Sequence, residues 1–570
     1  MRLKTLLFLV LSSISIVGYA QAPYVFTKFD LATGSPSSNP DNFFISNGKL
    51  FFTATTPTSG TELWVSDGTT AGTKMVMDIN PGAGSAFDNT TYFPGFADYN
   101  SKLYFSAFNA ANGYELWVSD GTAAGTHIVK DLYSGASGNV WYQKAVFNGK
   151  LYFSADEGTT SNAGQELYVT DGTSAGTQLV KDLDPGSNSG SPMDFTVCNG
   201  KLLFTAIITG SGRELWTTDG TAGGTSVLKD INPTGAGFSN VGIQHPMVVL
   251  GTKLLFAAND GVNGEEMWTS DGTVTGTKMV SNLRAGGISS SPFANNWYLV
   301  YNNRVYFWIN GQAQLWSTDG TSGGTRPIGP LTIFQPNMPT NFYNPSPIVA
   351  YKGQIYFSAS DHSIPTPDEE LWVSDATFTG AHQMKNICTG TIMGFDGGSP
   401  FQLMIYHNTM YFQARPTTSV TNYQMFKSDS TVAGTTQLAP TGSTAVDPFT
   451  GRGSYINYNN TLYFAAAWSG GETELWSMKD TSYQSGIDNI TPAEFNLYPN
   501  PNDGNFTVQL QNTDFKNGSI SVYNIMGQNV YQSPITNNKF SITLSNQPKG
   551  MYLVKLQLND AVQTKRVTIE

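Results

Sequence analysis

Glu115-Leu-Trp-Val-Ser-Asp-Gly-Thr-Ala-Ala-Gly-Thr126 decides the reading of this chain, because it recurs. Copies begin at Glu62, Glu166, Glu214, Glu266, Gln314, Glu370, Gln424 and Glu474. A period of about fifty residues marks a repeat architecture, in which one small unit is stacked many times. Working outward from the copy at Glu214, Asn199-Gly200 is a hairpin signal, since both residues tolerate positive φ. It joins a strand a ending at Cys198 to a strand b, Lys201–Ala206. A variable loop leads to strand c, Glu214–Thr218. Asp219-Gly220-Thr221 then turns the chain into strand d, Ser226–Ile231.

Four-stranded units of this length build β-propellers. The expected fold is all-β: a β-propeller of four-stranded blades, nine sequence repeats in eight or nine blades, followed by a small Ig-like β-sandwich. An open solenoid is the alternative. The chain ends favour a ring. Tyr24-Val-Phe-Thr-Lys-Phe-Asp-Leu31 aligns with strand d, whereas the ninth repeat lacks a strand d of its own. An N-terminal strand completing the last blade would remove the open edge that a linear array leaves.

The aligned Asp67, Asp120, Asp171, Asp219, Asp271 and Asp319 begin c–d turns. An Asp side chain there accepts backbone N–H groups two residues on, and Gly supplies the left-handed conformation. A calcium loop is the competing reading, but the full acidic spacing of such a loop is missing. No metal and no cofactor is expected. Trp64, Trp117, Trp216, Trp268, Trp316, Trp372 and Trp476 form a second column, with Tyr168 and Phe426 in place of Trp elsewhere. Periodic rings inside strands read as packing between units rather than as a sugar-stacking array. The Glu column, with Gln314 and Gln424 as substitutes, reads as a hydrogen-bond acceptor for a neighbouring turn.

Antiparallel topology puts the a–b and c–d turns on one face and the variable b–c and d–a loops on the other. Variable loops on a rigid scaffold are where binding concentrates. Aromatics at the start of strand a, Trp141, Tyr142, Trp297 and Tyr298, are the ligand-face candidates, against a packing role. The longest b–c loops are Asp156–Gly164 and Asp361–Asp368.

The first twenty residues read as a signal peptide: Arg2 and Lys4, an apolar run from Leu6 to Val17, and Gly18-Tyr19-Ala20 before a mature start at Gln21. The apolar run is short for a membrane span, and no later segment is long enough. Cys198 and Cys388, three repeats apart, read as buried free thiols. A net charge of −12 with 13% charged residues argues against nucleic acid and against anionic membrane surfaces as partners.

After a polar linker, 481–494, the composition changes. Alternation and turn residues predict a β-sandwich of about seven strands over 495–570. Tyr498-Pro499-Asn500-Pro501 with Gly504, then Tyr523-Asn-x-x-Gly527-Gln, then Gly550-x-Tyr552-x-Val-Lys follow in order. These stretches resemble the C-terminal sorting domain of the type IX secretion system. The resemblance implies outer-membrane export in a Gram-negative bacterium, the secretion machinery as a partner, and removal by a surface sortase with release or attachment. Residues 42–480 likewise resemble the family named for its Glu-Leu-Trp-x-x-Asp-Gly-Thr repeat, with departures at Gln314, Ala376, Gln424, Phe426, Ser430 and Met478. That family implies a surface or secreted protein and no established chemistry.

Two functions remain. One is a binding or adhesion scaffold for a glycan or protein ligand. The other is a propeller enzyme such as a glycoside hydrolase or lyase, which would need paired carboxylates or a nucleophile with its base. The five histidines, His127, His245, His362, His382 and His407, sit in unrelated repeat positions, so no catalytic residue is assigned and binding is preferred.

Overall fold

A computed structural model describes residues 24–32, 36–87, 94–135, 138–158, 164–186, 188–238, 245–284, 287–293, 297–309, 315–328, 333–334, 348–361, 368–377, 380–388, 396–416, 423–438, 455–467, 472–481, 495–510, 518–524, 528–535, 537–558 and 561–570. The expected signal peptide with Ala20 and Gln21, most of the linker, Gln314, Gly527 and parts of both long b–c loops lie outside these residues. The chain divides into two compact units, Tyr24–Lys479 and one containing Asp480–Glu570.

The first unit contains strands alone among its described elements. Repeat four shows the plan: Met193–Cys198, Lys201–Ile208, Gly212–Thr218 and Ser226–Lys229 pair in sequence order, antiparallel throughout. The Asn-Gly hairpin forms as read, with φ of 50° at Asn199 and 73° at Gly200. The same order recurs in the other repeats. Repeats two and three are joined further by a short parallel pairing of Gly138 and Asn139 with Gly113 and Tyr114. The ninth sheet takes its fourth strand from the N-terminal side. Tyr24–Phe29 pairs with Glu474–Asp480, beyond Thr461–Ala466 and Ile456–Tyr458.

Between consecutive sheets lies one apolar core each. Phe51, Leu63 and Val65 of repeat one meet Leu103, Phe105 and Trp117 of repeat two. This pattern continues through every neighbouring pair. Phe29, Tyr458, Tyr463 and Leu475 then pack against Leu50, Phe52, Ala54 and Trp64, joining the ninth sheet to the first. Tyrosines before the a–b turns add hydrogen bonds to the next repeat: Tyr99 Oη donates to Gly149 O at 2.7 Å and Tyr406 Oη to Asn460 O at 2.9 Å. Tyr458 Oη donates in the same way to Gly48 O, at 2.8 Å.

The aromatic column serves these cores. Trp117, Trp216, Trp268 and Trp372 are buried against the preceding repeat, as is Trp64 against the ninth. Trp316 and Trp476 are half-buried in equivalent places. Both cysteines are free and buried.

In the second unit, Phe495–Tyr498, Asn505–Leu510 and Lys539–Thr543 form one sheet. Gly518–Asn524, Asn529–Pro534, Gly550–Leu558 and Ala561–Ile569 form another. They share a core of Phe506, Val508, Val522, Tyr552, Val554 and Val567, among others. Tyr552 is buried with its hydroxyl on Pro548 O, while Tyr498 is exposed. Asn500 clamps the C-terminal strand: Nδ2 donates to Arg566 O and Oδ1 accepts from Thr568 N. Pro499 and Pro501 flank it, both after cis peptide bonds, and Gly504 has φ of 96°. Gly550 begins the long hairpin. No helix among the described residues is long and apolar enough to cross a membrane.

Candidate functional site

The c–d turns are closed networks. Asp120 Oδ1 accepts Thr122 N at 2.8 Å and Thr122 Oγ1 at 2.7 Å. Thr122 Oγ1 accepts Gly125 N, and Thr126 Oγ1 donates to Thr122 O. A side chain at Gly125 would place its Cβ 2.2 Å from Asp120 Oδ1. The Thr122 hydroxyl and amide hold the Asp120 carboxyl below the usual carboxylate range. Asp67, Asp171, Asp219, Asp271 and Asp319 repeat the arrangement. These oxygens are engaged in the turn itself. The described residues hold no group of three or more His, Cys, Asp or Glu side chains suited to a metal ion.

The Glu column lies at the opposite ends of strands c, fully buried. Glu62 accepts from the amides of Ile79, Asn80 and Ala86. Glu115, Glu166, Glu214, Glu266 and Glu370 each accept from the amide seventeen residues on. For Glu474 the donors are Leu31 N and Ser38 Oγ, from the N-terminal segment. This column organises the d–a crossovers.

Those crossovers deliver the start of strand a. In repeats one, four and eight the a–b register breaks there, with Asn42, Asp194 and Gln402 at φ of 55°, 60° and 51°. Such bulges re-aim side chains. Strand-a starts from repeats two to six line a cavity of about 330 Å³. Among its lining residues are Phe96, Gln143, Lys144, Asp194, His245 and Tyr298. It sits at the end of the sheets that carries the variable loops.

Lys144 is half-buried, and its Nζ donates to Ser106 Oγ at 2.9 Å, Gly95 O at 3.1 Å and Pro94 O at 3.4 Å. Burial pushes its pKa down to about 7. Asp194 N donates to Gln143 Oε1. The buried Asp194 carboxylate accepts from His245 N and Nδ1, both at 3.0 Å, and from Thr205 Oγ1 at 2.7 Å. Arg213 backs this pair: its guanidinium donates to Ser191 O and Thr205 Oγ1. Burial lowers the Arg213 pKa to about 10, against the pull of Asp194.

Of the aromatic candidates, Tyr298 lines the cavity and burial raises its pKa. Trp297 does not face it: Trp297 is 4% exposed and packs between sheets six and seven, because its ring fills the apolar gap there. Trp141 and Tyr142 lie on the strand Gly138–Phe147, and their side chains are outside the described residues. Sequence reasoning weighed His245 only as one of five scattered histidines, and it missed Lys144 and Asp194. A column signal for Lys144 exists. Three residues before the end of strand a the repeats carry Phe43, Phe96, Lys144, Phe195, Met247, Tyr298, Ile348, Leu403 and Tyr455. Lys144 is the one charged member.

Residues 496–570 match the model of the secretion system C-terminal sorting domain. The chain is therefore a type IX secretion substrate, delivered across the outer membrane to the cell surface or extracellular space. Other similarities are thin. Ulvan lyase NLR42 of Nonlabens ulvanivorans is 27% identical over 120 residues, covering 20% of this chain and 21% of that protein. The chain thus spans about a fifth of the length of the curated relative it matches. A puromycin hydrolase structure aligns over 68% of this chain and 60% of its own, with 12% identity and a TM-score of 0.34. The polysaccharide lyase Uly1 aligns over 71% and 93%, with 11% identity and a TM-score of 0.31.

Proposed function

We propose that the first unit is a closed nine-bladed propeller that acts outside the cell as a binding scaffold for a carbohydrate ligand. The cavity at the strand-a starts carries the proposal. Repeats three to six place Gln143, Lys144, Asp194, Thr196, His245 and Tyr298 there, beside the apolar Phe96 of repeat two. Concave sites with few, convergent polar groups are the usual ligand seats. The nine interface cores, with Trp64 packed on the ninth sheet, support closure. The second unit is the export address and contacts the secretion machinery.

A polysaccharide lyase is the second reading. It is favoured by the partial likeness to ulvan lyase NLR42 and by an amine, Lys144, in the cavity wall, whose pKa burial lowers. One experiment separates them. The mature chain is applied to a glycan array, and each hit is then incubated with the protein and assayed for chain cleavage. The expected result is binding without cleavage, weakened about tenfold by Lys144→Met, which removes the hydrogen bonds that brace the cavity wall at Ser106, Gly95 and Pro94. Binding with cleavage that Lys144→Met abolishes establishes the lyase reading. Absence of binding to every glycan contradicts both.

A further inference from the structure

His245 precedes strand a of repeat five, Val248–Leu250, and is 6% exposed. Its backbone amide and its Nδ1 both contact the Asp194 carboxylate, so one side chain fixes the position and the rotation of the imidazole. Asp194 is itself fixed by Thr205 Oγ1 and by the backbone bulge at φ 60°. A carboxylate only accepts, so Nδ1 must carry the proton. That leaves Nε2 as an acceptor in the neutral ring. Nε2 is buried, lies in a residue that lines the cavity, and has no hydrogen-bond partner among the described residues. The ring packs edge-on to Phe238 with centroids 5.3 Å apart, which supports it without satisfying it. Burying an acceptor unpaired costs about 1–3 kcal/mol, so its retention calls for a partner.

We propose that His245, positioned by Asp194, is the residue that reads the ligand, with Nε2 accepting a hydrogen bond from a ligand hydroxyl. The ligand class is then polyhydroxylated, a neutral sugar rather than a purely anionic chain. This rests on the binding reading above and adds the recognising atom to it. Two features single the pair out. Asp194 and His245 come from adjacent repeats, so the pair exists only where repeats four and five meet. The left-handed position of Asp194 is held by Asn42 in repeat one, so Asn is tolerated there by the same backbone.

The test uses the full mature chain and a panel of neutral xylose, glucose and mannose oligosaccharides, with glucuronate-bearing oligosaccharides alongside, titrated by calorimetry. Thermal melting checks the fold of each variant. Wild type is expected to bind a neutral oligosaccharide. His245→Phe should weaken it about tenfold, the scale of one hydrogen bond. His245→Gln, which keeps an acceptor near the Nε2 position, should stay within about threefold on the same scale. Asp194→Asn removes the demand for a proton on Nδ1 and should also weaken binding, with the imidazole nitrogen NMR signals reporting the changed tautomer. A wild type that binds while His245→Phe and His245→Gln bind equally well overturns the proposal and leaves the binding reading intact; Nε2 then faces a buried water. Selective binding of the glucuronate-bearing sugars, insensitive to His245, overturns the ligand class. A wild type that binds no sugar in the panel overturns this proposal together with the reading beneath it.

Discussion

Asp120 shows how much one residue can organise. Its Oδ1 takes two hydrogen bonds from Thr122, and the lack of a side chain at Gly125 lets the chain pass over it. Asp120→Ala should lower stability by about 0.5–2 kcal/mol, the scale of a lost side-chain cap to backbone N–H groups. The loss should be equal with calcium and with chelator in thermal melts. A chelator-dependent shift in the parent protein would assign the turn to a metal instead. This motif was legible in the sequence because Asp, Gly and Thr act within a few residues of one another. The cavity was not, because its partners lie about fifty residues apart in the chain and meet only through the repeat. Lys144 breaks an apolar column, and that is visible once the strand-a register is fixed. Asp194 and His245 stand one column apart, so their contact had no signature in an alignment of repeats.

At the scale of the element, the Glu column ties each strand c to its d–a crossover. Burial pushes the Glu62 carboxyl up to about 7 and that of Glu115 up to about 8, against the pull of the backbone amides that they accept. Glu166 and Glu214 are pushed up to about 7 in the same way. A folded pKa above the unfolded one means that the fold binds the proton more tightly. The stability tied to these groups is full below the ordinary carboxylate pKa and is lost as pH rises through 7 to 8. The melting temperature should therefore fall between about pH 5 and about pH 9, and Glu115→Gln should remove part of that fall. A parent protein that melts higher at the alkaline end would contradict this. Gln424 already occupies the column in repeat eight, buried and neutral. Strands b and c were readable from their dense apolar runs. Short pairings such as Gly138 with Gly113, or Asp396 with Asp368, carry no side-chain pattern and emerge only from the fold.

At the scale of the molecule, the two ends of the first unit meet in one sheet. Tyr24 and Phe26 pack on the core between repeats eight and nine, and Phe29 on the core between repeats nine and one. Leu31 N donates to Glu474 Oε2 at 3.2 Å, the bond that other repeats make seventeen residues along the chain. The sequence showed this through the likeness of Tyr24–Leu31 to strand d and the missing strand after Glu474. Thermal melting of the mature chain lacking residues 21–31 tests the closed ring most directly. Removing the segment exposes the edge of Glu474–Asp480 and two apolar cores, so the melting temperature should drop sharply and the amides of Glu474–Asp480 should lose hydrogen-exchange protection. An unchanged melting curve with those amides still protected would contradict the closed ring.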